Sequence, residues 1–172
     1  MGGEGYMRKN ILSLIPLVLL VGLVGFIVFS TLAEEETLII TSLEQGQEMD
    51  LKQYIGKGKT ILHFVAVPCD CCSFTIPYIK QFQQEHPDFH IVTIVFSGKE
   101  KEIREKFKEY NVHHPWGVDL DKRLANQYRV LGSPTFVFFN EKGDHIGSFP
   151  FVITSAQDLL DQYQKAESQV KR

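Results

Sequence analysis

The stretch Thr60-Ile61-Leu62-His63-Phe64-Val65-Ala66-Val67-Pro68-Cys69-Asp70-Cys71-Cys72-Ser73-Phe74 decides how the rest of the chain is read. It holds all three cysteines of the protein. From Thr60 to Ala66 it is apolar on both faces apart from His63, the pattern of a strand buried in a parallel sheet. The residues after the cysteines open a helix, predicted from about Phe74 to His86, with Phe74, Tyr78 and Phe82 in one stripe. Pro77 is expected to kink it, and Pro87-Asp88 to end it. Cys69 and Cys72 thus stand in C-x-x-C spacing at a strand-to-helix junction. A thiol at a helix N-terminus feels the positive end of the peptide dipole, which favours thiolate. Those are the conditions for a redox-active cysteine, with Cys71 as a third thiol inside the motif.

Upstream, Leu38 to Thr41 and Glu48-Met49 flank Gln45-Gly46-Gln47 as a hairpin, and Leu51 to Ile55 reads as one helical turn. Downstream, Phe89 to Phe96 is a second buried strand. Glu100 to Tyr110 is an amphipathic helix with Ile103, Phe107 and Tyr110 on one face. His113-His114-Pro115-Trp116-Gly117 reads as a loop, Val118 as a short strand, and Asp121 to Tyr128 as a helix with Asp121 near its cap. The strand Thr135 to Phe139 turns at Glu141–Asp144 into His145 to Phe149, an antiparallel pair by its short connection. Ala156, Leu159, Leu160 and Tyr163 mark the last helix, and the tail from Glu167 is expected to fray. This order implies an α/β fold of three layers, a mixed central sheet with helices on both faces.

Composition narrows the class. The chain has 172 residues, 44% of them hydrophobic, and a formal charge of −3. With no basic cluster, nucleic acid is not an expected partner. Ile11 to Phe29 carries no charged side chain, and as a helix would be ~28 Å long against a hydrocarbon core of ~30 Å. Arg8 and Lys9 precede it and Glu34, Glu35 and Glu36 come after, so the basic flank is expected to stay cytoplasmic and the remainder to lie outside. A cleaved signal peptide ending near Thr31-Leu32-Ala33 is the competing reading, disfavoured because such apolar cores run only about 7–15 residues. Either way the domain is expected outside the cytoplasm, where disulfides persist.

The pattern resembles the thioredoxin-like superfamily, and within it the membrane-anchored, extracytoplasmic thiol–disulfide oxidoreductases of the TlpA/ResA type. The resemblance rests on Phe64 and Ala66 before the motif, Cys69 and Cys72 as the pair, Pro77 after it, and the run from Tyr128 to Gly143 containing Gly132-Ser133-Pro134-Thr135. It covers about residues 38 to 165. Together with the membrane reading above, it divides the chain into an expected cytoplasmic segment 1–10, a transmembrane signal-anchor 11–30, a linker 31–37, a thioredoxin-like domain 38–166 and a tail 167–172. It implies Cys69 as nucleophile, Cys72 as resolving thiol, and a cis-proline at Pro134 that offers Ser133 for β-like pairing with substrate. Pro68 and Asp70, flanking Cys69, are the further expected substrate contacts. His63 stands where thioredoxins carry a buried acid, and is expected to relay protons to Cys72. The expected partners are cysteine-containing exported proteins and a membrane redox partner, and no cofactor is expected beyond a redox-active Cys69–Cys72 disulfide. Three positions depart from the pattern: Pro68 replaces an aromatic residue, Thr75 a glutamate, and Cys71 is an added thiol.

Blander and rival readings stand beside these. Cys69 and Cys72 would otherwise be small core residues, His63 a satisfied core histidine, and Pro134 an ordinary trans-proline at a strand start. Cys71 reads as a bystander, as partner in a Cys69–Cys71 disulfide, or as a third soft ligand. In the last case Cys69, Cys71 and Cys72 would bind or hand over a copper-type ion, the alternative function. His113 and His114 read as surface residues, since no carboxylate or cysteine lies at ligand spacing.

Overall fold

The computed structural model describes residues 38–43 and 46–170, without the side chains of Cys71 and Cys72. The apolar segment 11–30 and its flanks lie outside the described residues. Among those described, no helix is long and apolar enough to cross a membrane.

The strands are β1 (Ile39–Ser42), β2 (Gln47–Asp50), β3 (Lys59–Ala66), β4 (Phe89–Ser97), β5 (Trp116–Val118), β6 (Thr135–Phe139) and β7 (His145–Phe149). The helices are α1 (Asp70–Glu85), α2 (Glu100–Glu109), α3 (Arg123–Gln127) and α4 (Ala156–Val170), with a 3₁₀ turn at Leu51–Gln53. One sheet runs in the order β2-β1-β5-β4-β3-β6-β7. Parallel pairs join β3 to β4 and β4 to β5, while β6, β7, β1 and β2 pair antiparallel. The sheet is mixed, as its connection lengths imply.

Strand β3 lies near the centre of the sheet and is apolar on both faces because helices cover both. Ile61 packs with Ile79 and Phe82 of α1 and with Leu159 and Tyr163 of α4. Leu62 and Phe64, with the opposite parity, pack with Leu124 and Ala125 of α3. Val65 and Val95 extend the first face toward Ile103 and Phe107 of α2. Residues of odd number on β3, His63 included, therefore face the layer that contains α1.

Several local expectations need correction. Helix α1 begins at Asp70 and runs through Pro77 to Glu85. Its buried stripe is Thr75, Ile76, Ile79 and Phe82, and Phe74 is exposed. Aromatic residues at helical spacing suggested a stripe, but the aliphatic pair Ile76 and Ile79 sets the face that meets the sheet. Helix α3 is shorter than predicted, and its cap is shared. Asp119 accepts the amides of Leu124 and Ala125 at 3.3 and 2.9 Å, while Asp121 pairs with the Arg123 side chain at 2.8 Å. Lys122 in the left-handed region (φ 59°) turns the chain between them. At the other end, α4 continues past Glu167 to Val170, and its residue Ala166 is buried.

Candidate active site

Cys69 is the N-cap of α1, extended at φ −145° and ψ 112°, and no side-chain hydrogen bond caps the helix there. A cysteine in this position sits against the unpaired amides of the first turn, where partial positive charge collects. Cys69 is disulfide-bonded; the only other cysteines in the chain are Cys71 and Cys72. It is half-buried against the cluster of Val65, Val67, Val95, Ile103, Phe107 and Trp116. That apolar bed excludes water from one side of the sulfur and leaves the other side open.

Two proline loops frame the sulfur. The Val67–Pro68 and Ser133–Pro134 peptide bonds are both cis. The Ser133 hydroxyl accepts a hydrogen bond from the Ala66 amide at 2.9 Å and donates to Cys69 Sγ at 3.6 Å. One side chain therefore ties the end of β3, the start of β6 and the motif sulfur together. Pro134 is buried, whereas Gly132 is exposed and Leu131 stands 95% exposed beside it. Pro68 and Asp70 are exposed on the two sides of Cys69. Behind Pro68, the Val67 amide donates to the Ser97 carbonyl at 2.7 Å. Gly98 (φ +144°) passes so close that a Cβ there would lie 2.7 Å from the Val67 carbonyl oxygen.

His63 is fully buried and belongs to a different set of contacts. The sheet register places it between Thr93 on β4 and Phe136 on β6. Its ring stacks on Phe136 at 4.7 Å and 15°, and its Nδ1 lies 3.2 Å from Thr93 Oγ1. Thr93 Oγ1 lies in turn 2.7 Å from Nε2 of His114, so a chain of three polar side chains crosses the core. Burial, helped by the charge of His114, pushes His63 down to about 3. Burial, helped by His113, pushes His114 down to about 4. Both rings are therefore neutral at physiological pH. His114 is not the surface residue its loop suggested.

The thioredoxin-like family profile matches residues 58–145, which span both proline loops, the motif and the His63–Thr93–His114 set. The chain belongs to the thioredoxin-like family. Thioredoxin-like protein YneN of Bacillus subtilis is 30% identical over 151 residues, covering 80% of this chain and 87% of that protein. Sporulation thiol-disulfide oxidoreductase A of the same organism is 27% identical over 138 residues, covering 74% of this chain and 82% of its own length. A secreted disulfide oxidoreductase of Mycobacterium tuberculosis has the same fold, with a TM-score of 0.62 at 22% identity over 79% of this chain and 99% of that one. Within the thioredoxin-like family, these relatives place the chain among the thiol–disulfide oxidoreductases.

Of the residues singled out in this thioredoxin-like sequence, the structure brings Ser133 onto Cys69, with Pro134 buried next to Ser133 in the chain and Pro68 and Asp70 exposed on the two sides of Cys69. It buries His63 in the sheet core, in contact with Thr93 and Phe136. Thr93, His114 and Gly98 were missed. A lone hydroxyl in the apolar run Phe89 to Phe96 was the available signal for Thr93, because a buried threonine needs a polar partner. Gly98 read only as a simple strand stop.

Proposed function

We propose that this protein is a membrane-tethered, extracytoplasmic oxidoreductase that exchanges disulfides with exported proteins through Cys69 and Cys72. The observation that carries this reading is the disulfide-bonded Cys69 at a helix N-cap, with the hydroxyl of Ser133, the residue before cis-Pro134, on its sulfur. In the reducing direction, the Cys69 thiolate attacks a substrate disulfide and releases one substrate thiolate, leaving a mixed disulfide. Cys72 then attacks Cys69, the second substrate thiolate leaves, and a Cys69–Cys72 disulfide remains. A membrane partner's dithiol restores the pair, so two electrons pass from partner to substrate. The same steps reversed oxidise a substrate dithiol.

The exposed Leu131 and Gly132, continuous with Ser133, support docking of an extended substrate segment beside Cys69, with Pro68 and Asp70 at its edges. His63 serves as proton acceptor for Cys72. The soft-metal alternative loses ground because a disulfide sulfur is no longer a thiolate ligand. The test is thiol trapping of the full chain across poised redox buffers, with mass mapping of the bonded pair. A reversible Cys69–Cys72 bond and a trapped substrate adduct in Cys72→Ser support the reading. Bonding through Cys71 alone, or stoichiometric metal with no disulfide at any potential, overturns it.

A further inference from the structure

We propose that His63, Thr93 and His114 form a neutral proton relay from the floor of the cysteine motif to solvent at the His113-His114 loop. The proposal rests on the reading of Cys72 as the resolving thiol.

One end of the relay is open. His63 Nε2 is a buried polar atom with no hydrogen-bond partner, and among the described residues no other buried side-chain nitrogen or oxygen is left so. An unsatisfied buried polar atom has lost its hydration without gaining a partner, so its presence calls for an explanation. Its ring shares the face of β3 that α1 covers, the helix that begins at the motif. The other end, His114, keeps 8% exposure and adjoins the exposed His113.

The middle link sets the mechanism. A threonine hydroxyl carries one hydrogen, so between two imidazoles Thr93 donates to one and accepts from the other. In one state both rings carry hydrogen on Nδ1: His63 donates to Thr93, and Thr93 donates to His114 Nε2. In the other state both rings carry it on Nε2, and each hydrogen bond runs the opposite way. Passing between the states moves one proton from end to end, and neither ring becomes an imidazolium. Neutrality matters because burial holds both histidines far below the range where they charge at neutral pH. Around His63, β4 contributes Thr93, β6 contributes Phe136, and the titratable group that acts on it is His114, itself acted on by His113.

During resolution the proton released by the resolving thiol enters the relay at His63 Nε2, and the His63 Nδ1 proton passes to Thr93 Oγ1. The Thr93 hydroxyl proton passes to His114 Nε2, and His114 releases its Nδ1 proton to water. The Cys72 sulfur bonds to Cys69 as the Cys69–substrate bond breaks. Re-reduction of the pair runs the same transfers inward, so each redox cycle resets both tautomers without a ring flip. Thr93 and His114 are positioning residues that act through His63.

The test uses Ellman's reagent on the reduced full chain in stopped flow. The first thionitrobenzoate release reports attack by Cys69 and the second reports resolution. For Thr93→Val we expect the second release, relative to the first, to slow about tenfold or more at neutral pH. Thr93→Ser should restore it, His114→Phe should slow it similarly, and the deficit should shrink at high pH, where hydroxide takes the proton directly. Wild-type ratios and pH profiles in both Thr93→Val and His114→Phe would overturn the relay while leaving the exchange reading intact. A second release that persists in Cys72→Ser would instead overturn the assignment of the resolving thiol, and the relay with it. Nitrogen-15 NMR of the wild-type histidines needs no variant: matching tautomers on His63 and His114 support the chain, and opposite tautomers break it.

Discussion

Ser133 shows how much one side chain carries at this site. Its hydroxyl satisfies the Ala66 amide and donates to Cys69 Sγ, so a strand end and a reactive sulfur share one oxygen. Ser133→Ala should cost about 1 kcal/mol of stability, as a half-buried amide loses its acceptor. It should also slow alkylation of reduced Cys69 by about two- to fivefold at neutral pH, because a donor to the thiolate is gone. Timed iodoacetamide labelling with urea denaturation measures both, and Ser133→Thr should retain both. An alkylation rate unchanged in Ser133→Ala would mean that the hydroxyl serves only the backbone.

At the scale of elements, two features outside the motif hold it in place. Asp119, three per cent exposed, accepts two amides at the start of α3. Asp119→Ala should cost about 1–2 kcal/mol by urea denaturation, whereas Asp121→Ala, which removes an exposed pair with Arg123, should cost about 0.5 kcal/mol or less. Equal losses would contradict this division of the cap. Gly98 joins β4 to α2 at a positive φ, against the Val67 carbonyl. A Cβ there must push the Val67–Cys69 segment, so Gly98→Ala should lower stability by about 1–3 kcal/mol and slow exchange at Cys69. Its melting temperature and single-turnover rate, taken together, check this; wild-type values for both would show that the loop gives way freely.

For the whole molecule, the buried histidines set a pH dependence of stability. His63 at about 3 and His114 at about 4 lie below their ordinary 6.5, so the unfolded chain binds more protons as pH falls. Stability is then complete above about pH 6.5 and is lost as pH falls from there toward 3–4, by about 1.4 kcal/mol per unit for each histidine. By pH 5 the two together should remove about 4 kcal/mol, a large part of a net stability of about 5–15 kcal/mol. Urea denaturation at pH 8 and pH 5 measures this, and His63→Gln should show roughly half the wild-type loss. A wild-type stability that is flat between these pH values would mean the rings charge in place.

Local periodicity and neighbours in the chain were enough to read the α/β order, the central strand, the amphipathic α2 and the placement of Cys69 at a helix start. Ser133-Pro134 was legible only through its resemblance to a family segment. Tertiary structure alone decided which face of α1 is buried, that Asp119 rather than Asp121 carries most of the α3 cap, and that Gly98 backs the motif. It also decided that His63 meets Thr93 and His114. Those residues lie on β3, on β4 and in the loop before β5, and only the parallel register of β3 on β4 places His63 beside Thr93. A buried histidine can be read from its apolar neighbours in sequence; its hydrogen-bond partners cannot, because they arrive from strands whose register no local pattern encodes.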